Sequence, residues 1–306
     1  MVYKSLKKFL FYGLLFCISL IGIQAFFINE ESPNPKTIYS TLAYEAEPIM
    51  DLIKEQEPIA FKEQEPEATG EVKELTLLSF NMRSARDEDG AVMLETIINE
   101  LKESKADIIG LQEVECHMPR TSYVDQVKRI ADELDYYFYY GDNLNILGAR
   151  YGNAILSKYP ILGAENHRLP RVKLEPRGLI EAQIDIDGFT LNVYVTHIGL
   201  SAQERMKQVP FIYDIIKEVG HGTILMGDFN NRPDSPEMET IKAAFIDGAK
   251  AFDMGDEPTY SLYDGPLKGR LDRFYLSDDL SLLDYYHMPS EVSDHSRIII
   301  KIKIDQ

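Results

Sequence analysis

The stretch Thr223-Ile224-Leu225-Met226-Gly227-Asp228-Phe229-Asn230-Asn231 decides how this chain is read. Its apolar start has the composition of a buried strand. The strand runs out into a glycine, and a carboxylate and a carboxamide follow two residues apart. In an extended backbone, side chains at i and i+2 share a face. Asp228 and Asn230 are therefore expected to project together from the mouth of a sheet. Asp228 can accept a proton or a cation, and Asn230 can hold a water or a phosphate oxygen. Gly, Asp and Asn are also ordinary turn residues, so the stretch gains meaning only from its recurrence elsewhere.

It does recur. Leu75-Thr76-Leu77-Leu78-Ser79-Phe80 reads as a strand ending in Asn81, and Asp107-Ile108-Ile109-Gly110-Leu111 as one ending in Gln112-Glu113. Phe189 to Thr196 forms a hairpin with Arg177 to Ile186 about Asp187-Gly188, a strong turn signal, and His197 closes it. Asp272 lies within the strand Leu271 to Ser277, and Asp294-His295 precedes the strand Arg297 to Ile304. Tyr136 to Tyr140, Gly152 to Ser157 and Leu280 to His287 complete the strands, Asn145 to Arg150 reads as a loop, and Tyr159-Pro160 as a turn. Apolar spacing predicts helices over Val92–Leu101, Val124–Leu134 and Gln203–Val219, the last kinked at Pro210. Ser235-Pro236 suits the start of a short helix. Strands that come both in hairpins and between helices predict two packed sheets with helices outside, in one domain from residue 74 to 306.

The flanking sequence sets the setting. The 306 residues carry a net charge of −18. Residues 1–73 hold 11 acidic and 7 basic side chains and contribute −4, leaving −14 for the rest. Such a domain does not attract nucleic acid at long range. Lys4, Lys7 and Lys8 precede an apolar run from Phe9 to Ile28, about as long as a bilayer-spanning helix needs. Residues 1–28 are expected to be an uncleaved membrane anchor, with a cleaved secretory signal as the alternative, and the lysines place the remainder outside the cytoplasm. Residues 29–73 read as a disordered acidic, Pro-rich linker, in which Lys54-Glu55-Gln56-Glu57-Pro58 recurs as Lys62-Glu63-Gln64-Glu65-Pro66. Cys116 is the sole thiol beyond Cys17 in the apolar run, so the folded part is held by its core rather than by a disulfide.

In order, Ser79-Phe80-Asn81, Leu111-Gln112-Glu113, Thr196-His197, Gly227-Asp228-Phe229-Asn230, Arg270-Leu271-Asp272 and Ser293-Asp294-His295 resemble the endonuclease/exonuclease/phosphatase superfamily, the DNase I-like proteins. Tyr151 to Ser157, with Asn153, Glu175-Pro176-Arg177-Gly178 and Gln203-Glu204-Arg205 are similar to its small secreted bacterial branch of metal-dependent hydrolases. The resemblance implies a four-layer α/β-sandwich with the site at one edge. It implies that Glu113 holds a divalent cation with Asn81 and Asp294 near it, and an oxygen-rich set of this kind suits Mg²⁺ or Mn²⁺. It implies that His295, held by Asp272, activates water or stabilises the phosphate, and that Asp228, steadied by Asn230, shares the base role or orients the nucleophile. It implies that His197 and Arg177 contact phosphate oxygens as charge builds, with Asn153 also binding phosphate. The sequence departs from the pattern at Arg83 and at Thr196-His197, both against an abasic-DNA repair enzyme, and at Arg273, where an aromatic residue is usual.

The expected protein is thus a monomeric, extracytoplasmic, metal-dependent phosphodiesterase acting on nucleic acid, a nucleotide or a phospholipid head group. The alternatives are a phosphomonoesterase or sphingomyelinase-like phospholipase, and a catalytically silent member that only binds a partner. No glycine-rich P-loop, kinase signature or CxxC pair is present to suggest other chemistry.

Overall fold

The structure, a computed structural model, describes residues 73–172, 175–261 and 267–304. The anchor and linker expectations fall on residues outside these, except that Lys73 already belongs to the first strand. Among the described residues no helix is long and apolar enough to cross a membrane.

Two six-stranded sheets pack face to face. The first has the order β13 (Ser281–Met288), β14 (Arg297–Ile304), β1 (Lys73–Asn81), β2 (Ile108–Cys116), β4 (Ala149–Ser157), β3 (Tyr137–Ile146). The second has the order β5 (Ile161–Arg168), β6 (Gly178–Ile186), β7 (Phe189–His197), β8 (Thr223–Asp228), β12 (Asp272–Leu276), β9 (Ile246–Asp247). A two-stranded ribbon, β10 (Tyr260–Ser261) with β11 (Leu267–Gly269), belongs to neither sheet, and Tyr260 bridges His295. Each large sheet has one parallel pair near its middle, β1 with β2 and β7 with β8, while its other pairs are antiparallel.

Strand alternation builds the layers. In β1, Leu75 and Leu77 face the other sheet, while Leu78 and Phe80 face outward onto α1 (Leu94–Ser104) and α2 (Gln126–Leu134). In the second sheet, Val193, Val195, Ile224 and Met226 enter the same inter-sheet core. Tyr194, Leu225 and Tyr275 turn outward onto α3 (Ala202–Ile216) and α4 (Glu239–Ala244). Helix, sheet, sheet, helix is the expected four-layer sandwich. Each fully buried Val, Leu or Ile in it contributes about 1.5–3 kcal/mol.

The helices start where the sequence caps them. Asp125 accepts the Lys128 N–H at the head of α2, and Ser201 accepts the Glu204 N–H in a Ser-x-x-Glu box at the head of α3. Pro210 sits inside α3 without ending it.

Three expectations need correction. Strand β2 does not stop at Leu111; it continues to Cys116 through a bulge between Leu111 and Val114. The loop expected at 145–150 is mostly strand, because β3 and β4 form a hairpin that turns at Leu147-Gly148. The turn at Tyr159-Pro160 leads into an edge strand, β5, whose mixed, half-exposed side chains gave no apolar alternation to find.

Candidate active site

Topology gathers the polar residues. Parallel strands β1, β2, β7 and β8 end on the edge where the antiparallel strands β12 and β14 begin. In register, His197 of β7 and Asp272 of β12 both lie opposite Asp228 of β8. Neighbouring residues on adjacent strands share a face, so this rung aims an imidazole and two carboxylates at one space. Asn81 and Glu113 reach the same space from the facing sheet.

Two local devices set the rung. Gly227 has φ +149, and a Cβ there would lie 1.9 Å from the Thr196 carbonyl oxygen, so only glycine lets β8 approach β7 this closely. Glu113 sits at the β2 bulge with φ 58, left-handed backbone that costs a glutamate about 1–3 kcal/mol. The bulge takes Glu113 out of the strand's alternation and re-aims its side chain.

The contacts form one network. Asn81 Nδ2 donates to Glu113 Oε1 and to Asp228 Oδ2, each at 3.0 Å, while its Oδ1 accepts the Arg83 N–H at 3.1 Å. The Asn230 N–H donates to Asp228 Oδ1 at 2.9 Å, and the Asn230 amide donates to the Ile198 carbonyl at 3.0 Å. His295 Nδ1 meets Asp272 Oδ2 at 2.9 Å, and its Nε2 faces Asp228 Oδ2 at 3.7 Å. Thr259 Oγ1 also donates to Asp272 Oδ2, at 2.6 Å. Asp228 and Asp272 are essentially sealed from solvent.

Electrostatics separate the two histidines. Two donors, Arg177 Nη1 and Asn230 Nδ2, face the nitrogens of His197 at 2.8 Å each, and Asp228 Oδ2 lies 3.4 Å from Nε2. A neutral imidazole has one lone pair. It serves one of the two donors, Arg177 at Nδ1 or Asn230 at Nε2, and the other ring nitrogen carries the proton. Burial, joined by the Arg177 charge, pulls His197 down to about 3, so the ring is neutral at ordinary pH. At His295 burial also opposes the charged form, but the Asp272 and Asp228 carboxylates outweigh it and push the ring up to about 10. Burial pushes Glu113 and Asp272 upward. Burial works the same way at Asp228, but the two histidines and the Asn230 and Asn81 donors overcome it and hold Asp228 low.

The remaining expected residues are placed as follows. Arg177 is buried and pairs with Glu175 at 3.1 Å. Asn153 donates to the Gly178 carbonyl at 3.1 Å, tying the first sheet to the segment that carries Arg177. Asp294 lies outside the hydrogen-bonded knot, 3.9 Å from Arg83 Nε, on a cleft of about 300 Å³ that Asp87, Glu88 and Asp89 also line. Asp228, Asp272 and His295 each offer a ligand atom within 4.8 Å of the others. His295 Nδ1 is committed to Asp272 and Nε2 faces Asp228, an arrangement that suits proton transfer as well as a cation. A hard cation is also matched by Glu113, a part-buried carboxylate that desolvation pushes upward and that accepts from Asn81. With Glu113, Asp228 and Asp272 set against His295 and Arg177, an added divalent cation suits the charge balance.

Sequence reasoning passed over Thr259 and Tyr260. Thr259 anchors Asp272, and the Tyr260 ring lies 4.9 Å from that of His295. Thr259 precedes and Tyr260 begins β10, a two-residue strand too short to show a periodicity.

A four-layer sandwich with a carboxylate–histidine site at one sheet edge defines a class of hydrolases. The sequence profile of the endonuclease/exonuclease/phosphatase family matches residues 78–295. The chain belongs to that family, whose enzymes are phosphoesterases that generally depend on a divalent metal. YbhP of Escherichia coli is 31% identical over 153 residues, covering 44% of this chain and 59% of YbhP, so the match spans less than two thirds of that relative. An endonuclease/exonuclease/phosphatase family protein from Bacteroides thetaiotaomicron superposes with a TM-score of 0.61 at 19% identity, over 77% of this chain and 100% of that one. A mannosyl-6-phosphatase of the same organism superposes with a TM-score of 0.57 at 19% identity, over 74% and 99%. At these identities the structural likeness speaks for the fold.

Proposed function

We propose that this domain hydrolyses phosphodiester bonds with the help of Mg²⁺ or Mn²⁺, outside the cytoplasm. The observation that carries the reading is the line of contacts in which Asp272 is hydrogen-bonded to His295 Nδ1, His295 Nε2 faces Asp228 Oδ2 at 3.7 Å, and Asn81 donates to both Asp228 and Glu113. Hydrolysis of a phosphate ester needs an oriented water, donors for the oxygens that gain charge, and a proton for the leaving oxygen.

The residues divide these tasks. Asp228 is held as a carboxylate, so it orients the attacking water and accepts its proton. His295 is held charged at neutral pH, so it donates rather than accepts, steadying phosphate oxygens or protonating the leaving oxygen. Asp272 fixes the ring that does this, and Asn230 fixes Asp228. Arg177, braced by neutral His197 and Glu175, supplies a planar donor for phosphate oxygens. A divalent cation held by Glu113, with Asp294 and Asn81 near it, would supply Lewis-acid stabilisation of the phosphate charge.

The preference for diesters follows from charge. Arg177 and His295 are the cations of this network, and both are already paired with carboxylates. A singly charged phosphodiester suits that balance better than a doubly charged monoester. The acidic cleft beside Asp294 and the net charge of the chain disfavour long duplex DNA relative to nucleotides, short single strands or zwitterionic head groups. Extracytoplasmic placement rests on the sequence of residues 1–28.

The test is turnover of bis-p-nitrophenyl phosphate and p-nitrophenyl phosphate by the full chain, with Mg²⁺ or Mn²⁺ and with a chelator control. Metal-dependent cleavage of the diester in preference to the monoester is expected. No cleavage of either, or cleavage indifferent to chelation, would sink the reading. A plasmid, single-stranded DNA, RNA, sphingomyelin and inositol phosphates would then separate the natural substrates.

A further inference from the structure

Arg273 lies one residue beyond Asp272 and has no exposed surface. Strand alternation turns it to the face of β12 opposite Asp272, away from the relay. Its charge has no counter-ion: among the described residues no carboxylate comes within 4.0 Å of its guanidinium. Its neighbour Arg270 is different, making a two-bonded pair with Asp247 at 2.8 and 2.6 Å. Burial holds Arg273 below the usual guanidinium range, and Arg270 adds to this. A buried cation without a carboxylate is costly, which makes its actual partners informative.

Those partners are the two segments that flank the site. Arg273 Nη1 donates to Asn231 Oδ1 at 2.7 Å, and Nη2 donates to both the Asn231 carbonyl and, at 3.0 Å, the Arg270 carbonyl. The guanidinium also lies 5.4 Å from the centre of the Phe229 ring. Asn231 follows the Asp228-Phe229-Asn230 turn, in which Asn230 is left-handed with φ 46. Arg270 precedes Asp272 by two residues. The Phe229 N–H donates to the Leu271 carbonyl at 2.9 Å, so the two segments already run side by side. Asn231 in turn donates to Glu237, which pairs with Arg205 at 2.7 Å.

We propose that Arg273 is a positioning residue for phosphoester hydrolysis: its buried fork clamps the Phe229–Asn231 turn to the Arg270–Leu271 segment and so fixes the spacing of Asp228 and Asp272 about His295. The inference rests on the hydrolase reading above for its kinetic part only. Lysine keeps the charge but cannot reach three acceptors in two segments with a planar fork. Misplacement of reacting groups by about 1 Å costs roughly 100-fold in rate.

The experiment compares the full-length wild type with Arg273→Lys and Asn231→Ala, the second keeping the guanidinium while removing one of its acceptors. Two readouts are used: kcat and KM on bis-p-nitrophenyl phosphate with Mn²⁺, and amide hydrogen exchange resolved along the chain. In Arg273→Lys, kcat is expected to fall about 10- to 100-fold with KM within about threefold, and exchange to quicken at residues 229–231 but not in the inter-sheet core. Asn231→Ala is expected to show the same pattern more weakly, and the double variant to lose less than the product of the two. Exchange that quickens evenly through the domain, or unchanged kcat and unchanged local exchange in either folded variant, would overturn the clamp. If the wild type cleaves no phosphate ester, the functional reading falls while local exchange at residues 229–231 still decides the clamp.

Discussion

The single amide nitrogen of Asn81 donates to both Glu113 and Asp228, at 3.0 Å each, and thereby joins carboxylates carried by different sheets. Its other amide atom is satisfied by the Arg83 backbone. Asn81→Asp would replace a shared donor with a third carboxylate among two others. We expect the variant to be destabilised by about 1–3 kcal/mol in chelator, and to recover more stability on adding Mg²⁺ than the wild type does. Thermal unfolding with and without the metal measures this. Equal metal-induced shifts in the two proteins would show that Asn81 does not lie beside the cation.

Glu113→Ala is expected to lower metal-dependent turnover by about 100-fold or more, with far-ultraviolet circular dichroism unchanged. Removing a part-buried carboxylate relieves its desolvation cost while leaving the backbone as it is, so the variant should be no less stable than the wild type in chelator. Turnover that persists with the same metal requirement would remove Glu113 from the metal site.

His295→Ala should lower kcat by about 100- to 10,000-fold and leave KM within a few-fold, because a group that donates to the transition state contributes little to ground-state binding. Asp272→Asn should follow the same pattern less severely, since the ring remains but loses its charge partner. A rise in KM with kcat preserved would assign His295 to substrate affinity instead.

His197 gives the pH dependence of stability. Its folded value, about 3, lies below the ordinary histidine range near 6.5. The unfolded chain therefore binds a proton here that the folded chain refuses. The stabilising contribution is complete above about pH 6.5 and is lost as pH falls toward 3. We expect the melting temperature to drop through this window, and His197→Asn, which cannot be protonated, to flatten that part of the curve. Identical slopes in the two proteins would show that His197 is not buried in its neutral form.

Much of this site was legible because its residues follow strands with unambiguous apolar patterns. Asn81, His197 and Asp228 sit where Leu75–Phe80, Phe189–Thr196 and Ile224–Met226 run out, and the order of the motifs carried the rest. Glu113 was found by resemblance, but its bulge was not, because an inserted residue leaves no trace in the alternation of Leu111 and Val114. The β3–β4 hairpin read as a loop because Asn145, Gly148 and Arg150 are polar or small at its tip. Thr259 and Arg273 make their contacts with Asp272 and Asn231, in other segments, which no local pattern encodes.

The pairing of β1 with β14 brings Leu77 opposite Ile300, more than two hundred residues later. His295 sits just before β14, so the proposed site is complete only when this long closure is made, rather than when any one hairpin forms. Such closures are slow, because loop entropy is lost before the contact rewards it. During refolding, helical and hairpin signals should therefore return first, and any phosphoesterase turnover afterward, so that turnover would report the final step. Simultaneous recovery of ellipticity and activity would show that β14 docks early.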